Sequence, residues 1–153
     1  MLSFIHCSDL HLDSPFAGVA EVDEEVAEVL QEATFEAFNN VVDLCLERSV
    51  DFVLVAGDVY DASERSLRAQ LAFRDGLRRL AEADIRSFVV HGNHDPMDGW
   101  ASALKWPEEC HVFGASSVGS VPVSRDGSPL ATVHGMSFEH GHVTENLARR
   151  FEA

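Results

Sequence analysis

Three short polar segments of this chain combine residue types that bind divalent cations through oxygen and imidazole nitrogen. Their members are Asp9, His11, Asp58, Asn93, His94 and Asp95. Because no cysteine thiolate belongs to the set, it favours ions such as Mn²⁺, Fe²⁺ or Zn²⁺. Two such ions bridged by one carboxylate can polarise a phosphoryl oxygen and generate a hydroxide nucleophile. The segments therefore predict a metal site with hydrolytic chemistry.

Each polar segment follows an apolar run that predicts a buried β-strand. These runs cover residues 2–7, 51–56 and 85–90. Helical periodicity lies between them, from about 21 to 48 and from about 63 to 83. Strand, helix, strand, helix, strand is typical of parallel strands joined by crossovers. Since the carboxyl ends of parallel strands form the ligand-binding edge of a sheet, we expect the three segments to lie together at this edge, which we call the rim.

The helical periodicity also predicts which side chains face the core. In the first helix the apolar face is expected to comprise Val26, Val29, Leu30, Ala33, Ala37, Val41, Leu44 and Cys45. In the second helix it is expected to comprise Leu67, Leu71, Leu77 and Leu80. Either Ser63 or Asp61 is a candidate cap for this helix. Asp61 is also a candidate to face the metals, whereas Asp13 is interpreted as a residue that fixes its loop.

The fold class expected from this order is α/β. The run from 51 to 56 is apolar without alternation, which predicts helices on both faces of a parallel sheet. Beyond Pro96, glycine, proline and serine separate short apolar runs that predict further strands, with a turn at 125–127. A length of 153 residues suits one domain.

Composition limits the classes of function. The formal net charge is −15, and Lys105 is the only lysine, so the overall field repels a polyanion. A phosphate-bearing substrate must therefore be bound through metal ions or a separate basic region. No run approaches the roughly 18 apolar residues of a membrane span, and no basic segment precedes an apolar one as in a signal peptide. Three dispersed cysteines predict reduced, buried thiols and a cytoplasmic location.

The motifs DLH, GDVYD and GNHD resemble the first three motifs of the calcineurin-like metallophosphoesterases. Longer stretches, HCSDLHLDSPF, VDFVLVAGDVYDASERSLRAQ, VVHGNHDPMDGW and LKWPEECHVFG, resemble the SbcD/YhaO-like branch of DNA repair exonucleases. This resemblance implies a four-layer αββα sandwich, of which residues 1–153 form an N-terminal part with a βαβαβ unit followed by short strands. It also implies two divalent ions, Mn²⁺ first among them, a DNA or other phosphodiester substrate, and an SbcC-like ATPase partner.

The resemblance assigns the metal ligands residue by residue. It implies that Asp9 and His11 bind the first metal, that Asp58 bridges both metals and that Asn93 binds the second. The resemblance further implies hydrolysis by attack of a hydroxide that the metals would generate.

Two further residues have implied catalytic roles. His94 is implied to protonate the leaving group or to stabilise the transition state, and Asp95 is implied to orient His94. His91 and Asp61 are candidates for residues that contact the metal ligands and not the metals themselves.

The chain also departs from the family pattern. A later isolated histidine and a Gly-His-x-His motif normally complete the site, and neither is convincing here. His140-Gly141-His142 has a different order, and we interpret it as a surface loop, with a ligand role as the alternative. We therefore expect a truncated domain with an exposed apolar face that favours self-association. A phosphatase or small-molecule phosphodiesterase, and a catalytically silent scaffold, remain alternative functions.

Overall fold

The computed structural model describes residues 1–21, 23–61, 66–97 and 104–151 of the chain. The elements are β1 (Phe4–Cys7), α1 (Ala17–Ala20), α2 (Glu24–Arg48), β2 (Phe52–Ala56), α3 (Leu67–Ala81), β3 (Arg86–Val90), β4 (Cys110–Val112), β5 (Gly119–Arg125), β6 (Ser128–Gly135) and a 3₁₀ helix (Leu147–Arg150). The α/β class and the βαβαβ order predicted from the sequence are confirmed. The long first helix begins three residues later than expected and is preceded by the short α1.

Strands β1 to β4 form one parallel sheet whose spatial order follows the chain. Phe4 pairs with Phe52, and Phe52 pairs with Arg86, so the carboxyl ends of β1, β2 and β3 are level. Strands β5 and β6 form a separate antiparallel hairpin. Its turn contains Asp126 and Gly127 at φ values of 51° and 76°, as the sequence predicted for this segment.

Helices α2 and α3 pack together on one face of the parallel sheet, and the hairpin covers part of the other. The hairpin side has its own core of Phe52, Phe88, Phe113 and Val123. In the part of the chain that the structure describes, helices lie on one face of this sheet only, so the expectation of helices on both faces is wrong for that part. When neighbouring strands of a parallel sheet are consecutive in the chain, crossover connections of the same handedness place all their helices on the same face of the sheet. The result is three layers: helix pair, parallel sheet and hairpin.

The predicted buried face of α2 is also wrong in most of its members. Val26, Val29 and Leu30 are exposed, and Cys45 is the buried residue of the predicted set. The helix instead buries Ala27, Phe35, Phe38, Val42 and Cys45. These residues form a second stripe at helical spacing, and its two phenylalanines bury more apolar surface than the valines of the predicted stripe.

Helix α3 begins with Ser66 as its cap, because the Ser66 side chain accepts a hydrogen bond from the Ala69 N–H. Asp61 therefore does not cap this helix, and Ser63 lies outside the described residues. Leu77 and Leu80 are buried as expected, whereas Leu67 is exposed at the first position of the helix.

The cysteines are free thiols, as expected. Cys45 is buried, and Cys7 and Cys110 are half-buried. Burial raises the pKa of Cys7 to about 11 and that of Cys110 to about 12, so these thiols stay protonated at neutral pH. Within the described ranges, no helix combines the length and the apolar character needed to cross a membrane.

Candidate metal centre

Backbone hydrogen bonds hold the loop after β1 against the loop after β2. The N–H groups of Asp9, His11 and Leu12 donate to the carbonyl oxygens of Gly57, Asp58 and Val59 at 3.2, 3.0 and 2.9 Å, respectively. The β1–β2 pairing thus continues beyond the strands themselves. This continuation brings the first two polar segments side by side at the carboxyl end of the sheet, where the sequence predicted them.

Both loops contain residues in the left-handed region of backbone space. Asp9, His11 and Asp58 have φ values of 56°, 42° and 52°. A non-glycine residue in this region costs of order 1–3 kcal/mol, and such residues concentrate at functional sites where the surroundings enforce the conformation. Hydrogen bonds between the two loops therefore hold the three predicted ligands in these backbone conformations.

The predicted ligands of the first metal form a compact cluster. Asp9, His11 and Asp58 each offer one ligand atom, and these atoms lie within 4.8 Å of one another. Asp9 is exposed, and the other two are half-buried, so the cluster is open to solvent. Among the described residues, no lysine or arginine forms an ion pair with these carboxylates. Two carboxylates and an imidazole without a cationic partner fit a divalent ion.

Asp61 joins two histidines of the rim. The Nδ1 atoms of His11 and His94 each lie 3.0 Å from Asp61 Oδ1, and the two rings meet edge to face. Ser14 Oγ donates to the other oxygen, Asp61 Oδ2, at 2.5 Å. Because an ionised carboxylate only accepts hydrogen bonds, both Nδ1 atoms carry the proton and both Nε2 atoms are left for a metal or a substrate.

The pKa of Asp61 agrees with this ionised state. Burial raises the pKa of this carboxyl group, but the hydrogen bond from Ser14 and the interactions with His11 and His94 outweigh burial and lower it below its ordinary value. The interpretation of Asp61 as a residue facing the site therefore accounts for its contacts. No sequence pattern pointed to Ser14 beyond its closeness to His11.

Asp95 has a different environment from the one the resemblance implies. Its side chain is fully buried, and it accepts hydrogen bonds from the backbone N–H groups of Asp58, Val59 and Gly92 at 3.1, 3.0 and 2.6 Å. The carboxylate beside His94 Nδ1 is that of Asp61, so Asp61 takes the orienting position expected of Asp95. His91 is buried behind the loop, with its Nδ1 3.5 Å from Asp95 Oδ2.

Asn93 lies in the exposed loop after β3, directly before His94. The backbone N–H of His94 donates to Asp58 Oδ1 at 2.9 Å, so this loop also contacts the central carboxylate. All three polar segments therefore meet at one rim. The role of Asn93 as a ligand of the second metal stays a prediction.

Asp13 fixes its loop, as interpreted from the sequence. Its carboxylate accepts hydrogen bonds from Gln31 Nε2 at 2.8 Å and from Ser66 Oγ at 2.5 Å. Gln31 belongs to α2 and Ser66 caps α3, so the loop after β1 is attached to both helices. The side chain of Asp13 is thereby committed to hydrogen bonds that position its neighbour His11.

The loop containing His140 and His142 is exposed, in agreement with its interpretation as a surface loop. It nevertheless passes close to the rim, because a Cβ atom on Gly141 would lie 3.0 Å from the carbonyl oxygen of Asn93. Among the described residues, neither histidine belongs to a group of three or more side chains that could hold one metal ion.

Comparison with known proteins agrees with the geometry of the site. Residues 2–152 match the family model described as calcineurin-like phosphoesterase. The chain is 37% identical over 150 residues to an uncharacterized metallophosphoesterase, YhaO, of Bacillus subtilis. It is 32% identical over 91 residues to the DNA double-strand break repair protein Mre11 of Thermoplasma acidophilum, and 28% identical over 94 residues to Mre11 of Methanococcus maripaludis.

These alignments cover different shares of the proteins. The Bacillus alignment covers 98% of this chain but 37% of the relative, and the Thermoplasma alignment covers 60% of this chain and 22% of the relative. The match to the family model spans nearly all of the chain and contains every predicted ligand. The chain therefore belongs to the calcineurin-like phosphoesterase family.

Proposed function

We propose that this chain provides the first half of a two-metal site that hydrolyses phosphodiester bonds, with DNA ends as substrate. The observation that carries the proposal is the cluster of Asp9, His11 and Asp58 beside a histidine that a carboxylate orients. Asp9 and His11 would hold one ion, Asp58 would lie between two ions, and Asn93 would contribute to the second. When bound, divalent ions supply Lewis acidity to a phosphoryl oxygen and lower the pKa of water. Mn²⁺ is the ion we expect, with Fe²⁺ or Zn²⁺ as substitutes.

His94 would act on the leaving oxygen. Its ring is half-exposed at the rim, and its Nδ1–H is held by Asp61 at 3.0 Å. Nε2 is therefore the ring atom that can carry a proton toward a substrate. General acid catalysis of this kind contributes about 10²–10⁴-fold to a rate, so loss of His94 should lower turnover and spare metal binding.

DNA as substrate is supported by the Mre11 relatives, whose names describe double-strand break repair. The net charge of −15 favours a second candidate, a phosphatase or small-molecule phosphodiesterase, because a strongly acidic chain attracts no polyanion by its overall field. An SbcC-like ATPase partner stays a prediction from the resemblance alone.

A calorimetric Mn²⁺ titration of the 153-residue chain tests the metal site. Binding should be lost in Asp58→Ala and retained in Asp43→Ala, which removes an exposed carboxylate that pairs with Arg79 on the helix layer. Equal binding in all three proteins would refute the site. Cleavage of linear duplex DNA compared with a small chromogenic phosphodiester then separates the two substrate classes.

Self-association also stays a prediction. Val26, Val29 and Leu30 of α2 are exposed, and Phe4 of β1, which stacks on Phe52 of the hairpin-side core, is 49% exposed. Light scattering across a range of concentrations tests it, and a monomer at high concentration would contradict it.

A further inference from the structure

Asp95 is a buried carboxylate with an unusual set of partners. Its side chain has no exposed surface, and its ion-pair partner among the described residues is not a lysine or arginine but the buried imidazole of His91, whose Nδ1 lies 3.5 Å from Asp95 Oδ2. Removal of such a charge from water is costly unless hydrogen bonds replace the lost hydration. Here three backbone N–H groups do so, and the 2.6 Å distance from Gly92 N is the shortest of the three.

These N–H groups belong to two different loops. Asp58 and Val59 follow β2, whereas Gly92 follows β3. In return, Asp58 Oδ1 accepts a hydrogen bond from the His94 N–H at 2.9 Å. Each loop therefore supplies a carboxylate to the backbone of the other. This exchange fixes the relative position of the central ligand Asp58 and of the residues around Asn93.

The glycines of the same loops show how close the two backbones are. A Cβ atom on Gly57 would lie 2.8 Å from Gly92 Cα, and one on Gly92 would lie 2.2 Å from Asp58 Oδ1. A carboxylate one bond longer in place of Asp95 would displace its oxygen atoms from the three backbone N–H groups, and an amide of the same size would point an NH₂ group at a backbone donor. Asp58 also has a left-handed backbone conformation that its surroundings must maintain.

We propose that Asp95 is a positioning residue that sets the distance between the metal ligand after β2, Asp58, and the predicted ligand after β3, Asn93, through the backbone of both loops. This inference rests on the proposed function, because it gives Asp95 a role in metal binding at the proposed site. It differs from orientation of His94, since that contact is made by Asp61. The proposal also predicts a measurable effect on amide hydrogen exchange in the metal-free protein.

The first test is amide hydrogen exchange in the metal-free chain, measured by NMR for the wild type and Asp95→Asn. In the variant, an NH₂ group replaces one acceptor oxygen and faces a backbone donor. We expect exchange of the Asp58, Val59 and Gly92 amides to accelerate about tenfold or more relative to the amides of β2 and β3. Unchanged protection, or the same acceleration for every amide in the sheet, would overturn the proposal.

The second test is the Mn²⁺ dissociation constant, measured by calorimetry well below the unfolding temperature. Residues that hold metal ligands in place typically contribute about 10–100-fold to affinity, so we expect at least a tenfold weaker Kd in Asp95→Asn. The matched control is Asp51→Asn, which alters another carboxylate that accepts a backbone N–H, at the opposite end of the sheet. Its Kd should equal that of the wild type.

A lower unfolding temperature of Asp95→Asn with an unchanged Kd would show a role in stability only and would overturn the proposal. If Asp95→Asn does not fold, Asp95→Glu replaces it in the test, because this variant keeps the charge and displaces the oxygen atoms. A Kd for Mn²⁺ that is about threefold weaker or more supports the proposal, and an unchanged Kd overturns it. Absence of Mn²⁺ binding by the wild type would contradict the proposed function, whereas the exchange experiment would still decide whether Asp95 joins the loops.

Discussion

The two ends of the parallel sheet use carboxylates in opposite ways. At the amino end, Asp51 accepts a hydrogen bond from the Ser3 N–H and forms an ion pair with Arg125 of the hairpin. At the carboxyl end, Asp9 and Asp58 lie within 4.8 Å of His11, and no described lysine or arginine pairs with them. At the amino end the carboxylate is therefore neutralised by an arginine of the protein. At the carboxyl end the carboxylates remain available to an external cation. The difference separates a carboxylate that stabilises the fold from carboxylates that bind a ligand.

Asp9→Asn should produce the largest change at the carboxyl end. Saturating Mn²⁺ at about one hundred times its Kd stabilises a protein by about 2.7 kcal/mol, which raises the unfolding temperature by several degrees. We expect this rise in the wild type and its loss in Asp9→Asn. The metal-free variant should be at least as stable as the metal-free wild type, because one of two neighbouring negative charges is gone.

Asp51→Asn is the control at the amino end for this thermal unfolding experiment. It should lower the metal-free unfolding temperature and keep the full Mn²⁺-dependent rise. If Asp9→Asn retains that rise, or if Asp51→Asn loses it, the division of roles between the two ends is wrong.

Gly92→Ala should have the next largest effect on metal binding. The added Cβ would lie 2.2 Å from Asp58 Oδ1 and 2.8 Å from Asp58 N, so the central ligand must move. We expect about a tenfold or greater loss of Mn²⁺ affinity and a destabilisation of about 1–3 kcal/mol from overpacking. Calorimetry and urea unfolding measure the two quantities.

Gly127→Ala provides a matched glycine away from the rim. Gly127 has a φ of 76° in the hairpin turn, with open space around its Cα. Alanine should therefore cost about 1 kcal/mol through backbone strain alone and leave Mn²⁺ affinity unchanged. Equal Mn²⁺ affinities for the two glycine variants would show that the contact between Gly92 and Asp58 does not determine ligand position.

Asp51→Asn should also change how stability depends on pH. The Ser3 N–H and the Arg125 guanidinium hold the pKa of Asp51 below its ordinary value of 3.8. A carboxyl group whose pKa is lower in the folded state adds stability above its unfolded pKa, and this stability is lost as the pH falls through the folded pKa. At pH 7 we expect the variant to be less stable by about 1–2 kcal/mol.

The two stability curves should converge below the folded pKa of Asp51. Urea unfolding of both proteins between neutral pH and about pH 2.5 measures this, since the variant lacks the titrating group. A constant difference at every pH would mean that the Asp51 charge contributes nothing beyond packing.

Much of the rim could be predicted because its information is local. Each polar segment directly follows an apolar strand, and parallel strands place such segments together whatever the rest of the fold. The face on which the helices pack could not be predicted, since strand order is a tertiary property. Helix α2 has two apolar stripes in its sequence, and the one that contains Phe35 and Phe38 is buried against the rest of the protein.

The roles of Asp61 and Asp95 show what could not be predicted from the sequence about individual residues. The sequence placed both near the ligands, but their hydrogen-bond partners depend on how two loops from different strands approach each other. Asp61 contacts histidines of the first and third segments, and Asp95 contacts the backbone after β2 and β3. Such contacts between distant parts of the chain leave no periodic signal in the sequence.

Ser14→Ala should have the smallest effect and is the finest test of the rim. The change removes the hydrogen bond to Asp61 Oδ2 but leaves both contacts of Asp61 Oδ1 with the histidines. We expect a loss of about 1 kcal/mol in stability and a Mn²⁺ affinity about two- to fivefold weaker, because His11 is held less firmly. The control is Ser120→Ala, which removes a serine side-chain hydrogen bond away from the rim, the one at 2.8 Å to His134 Nδ1 on the hairpin. If both variants bind Mn²⁺ as tightly as the wild type, the ligand His11 is positioned by its backbone and not by the carboxylate that Ser14 supports.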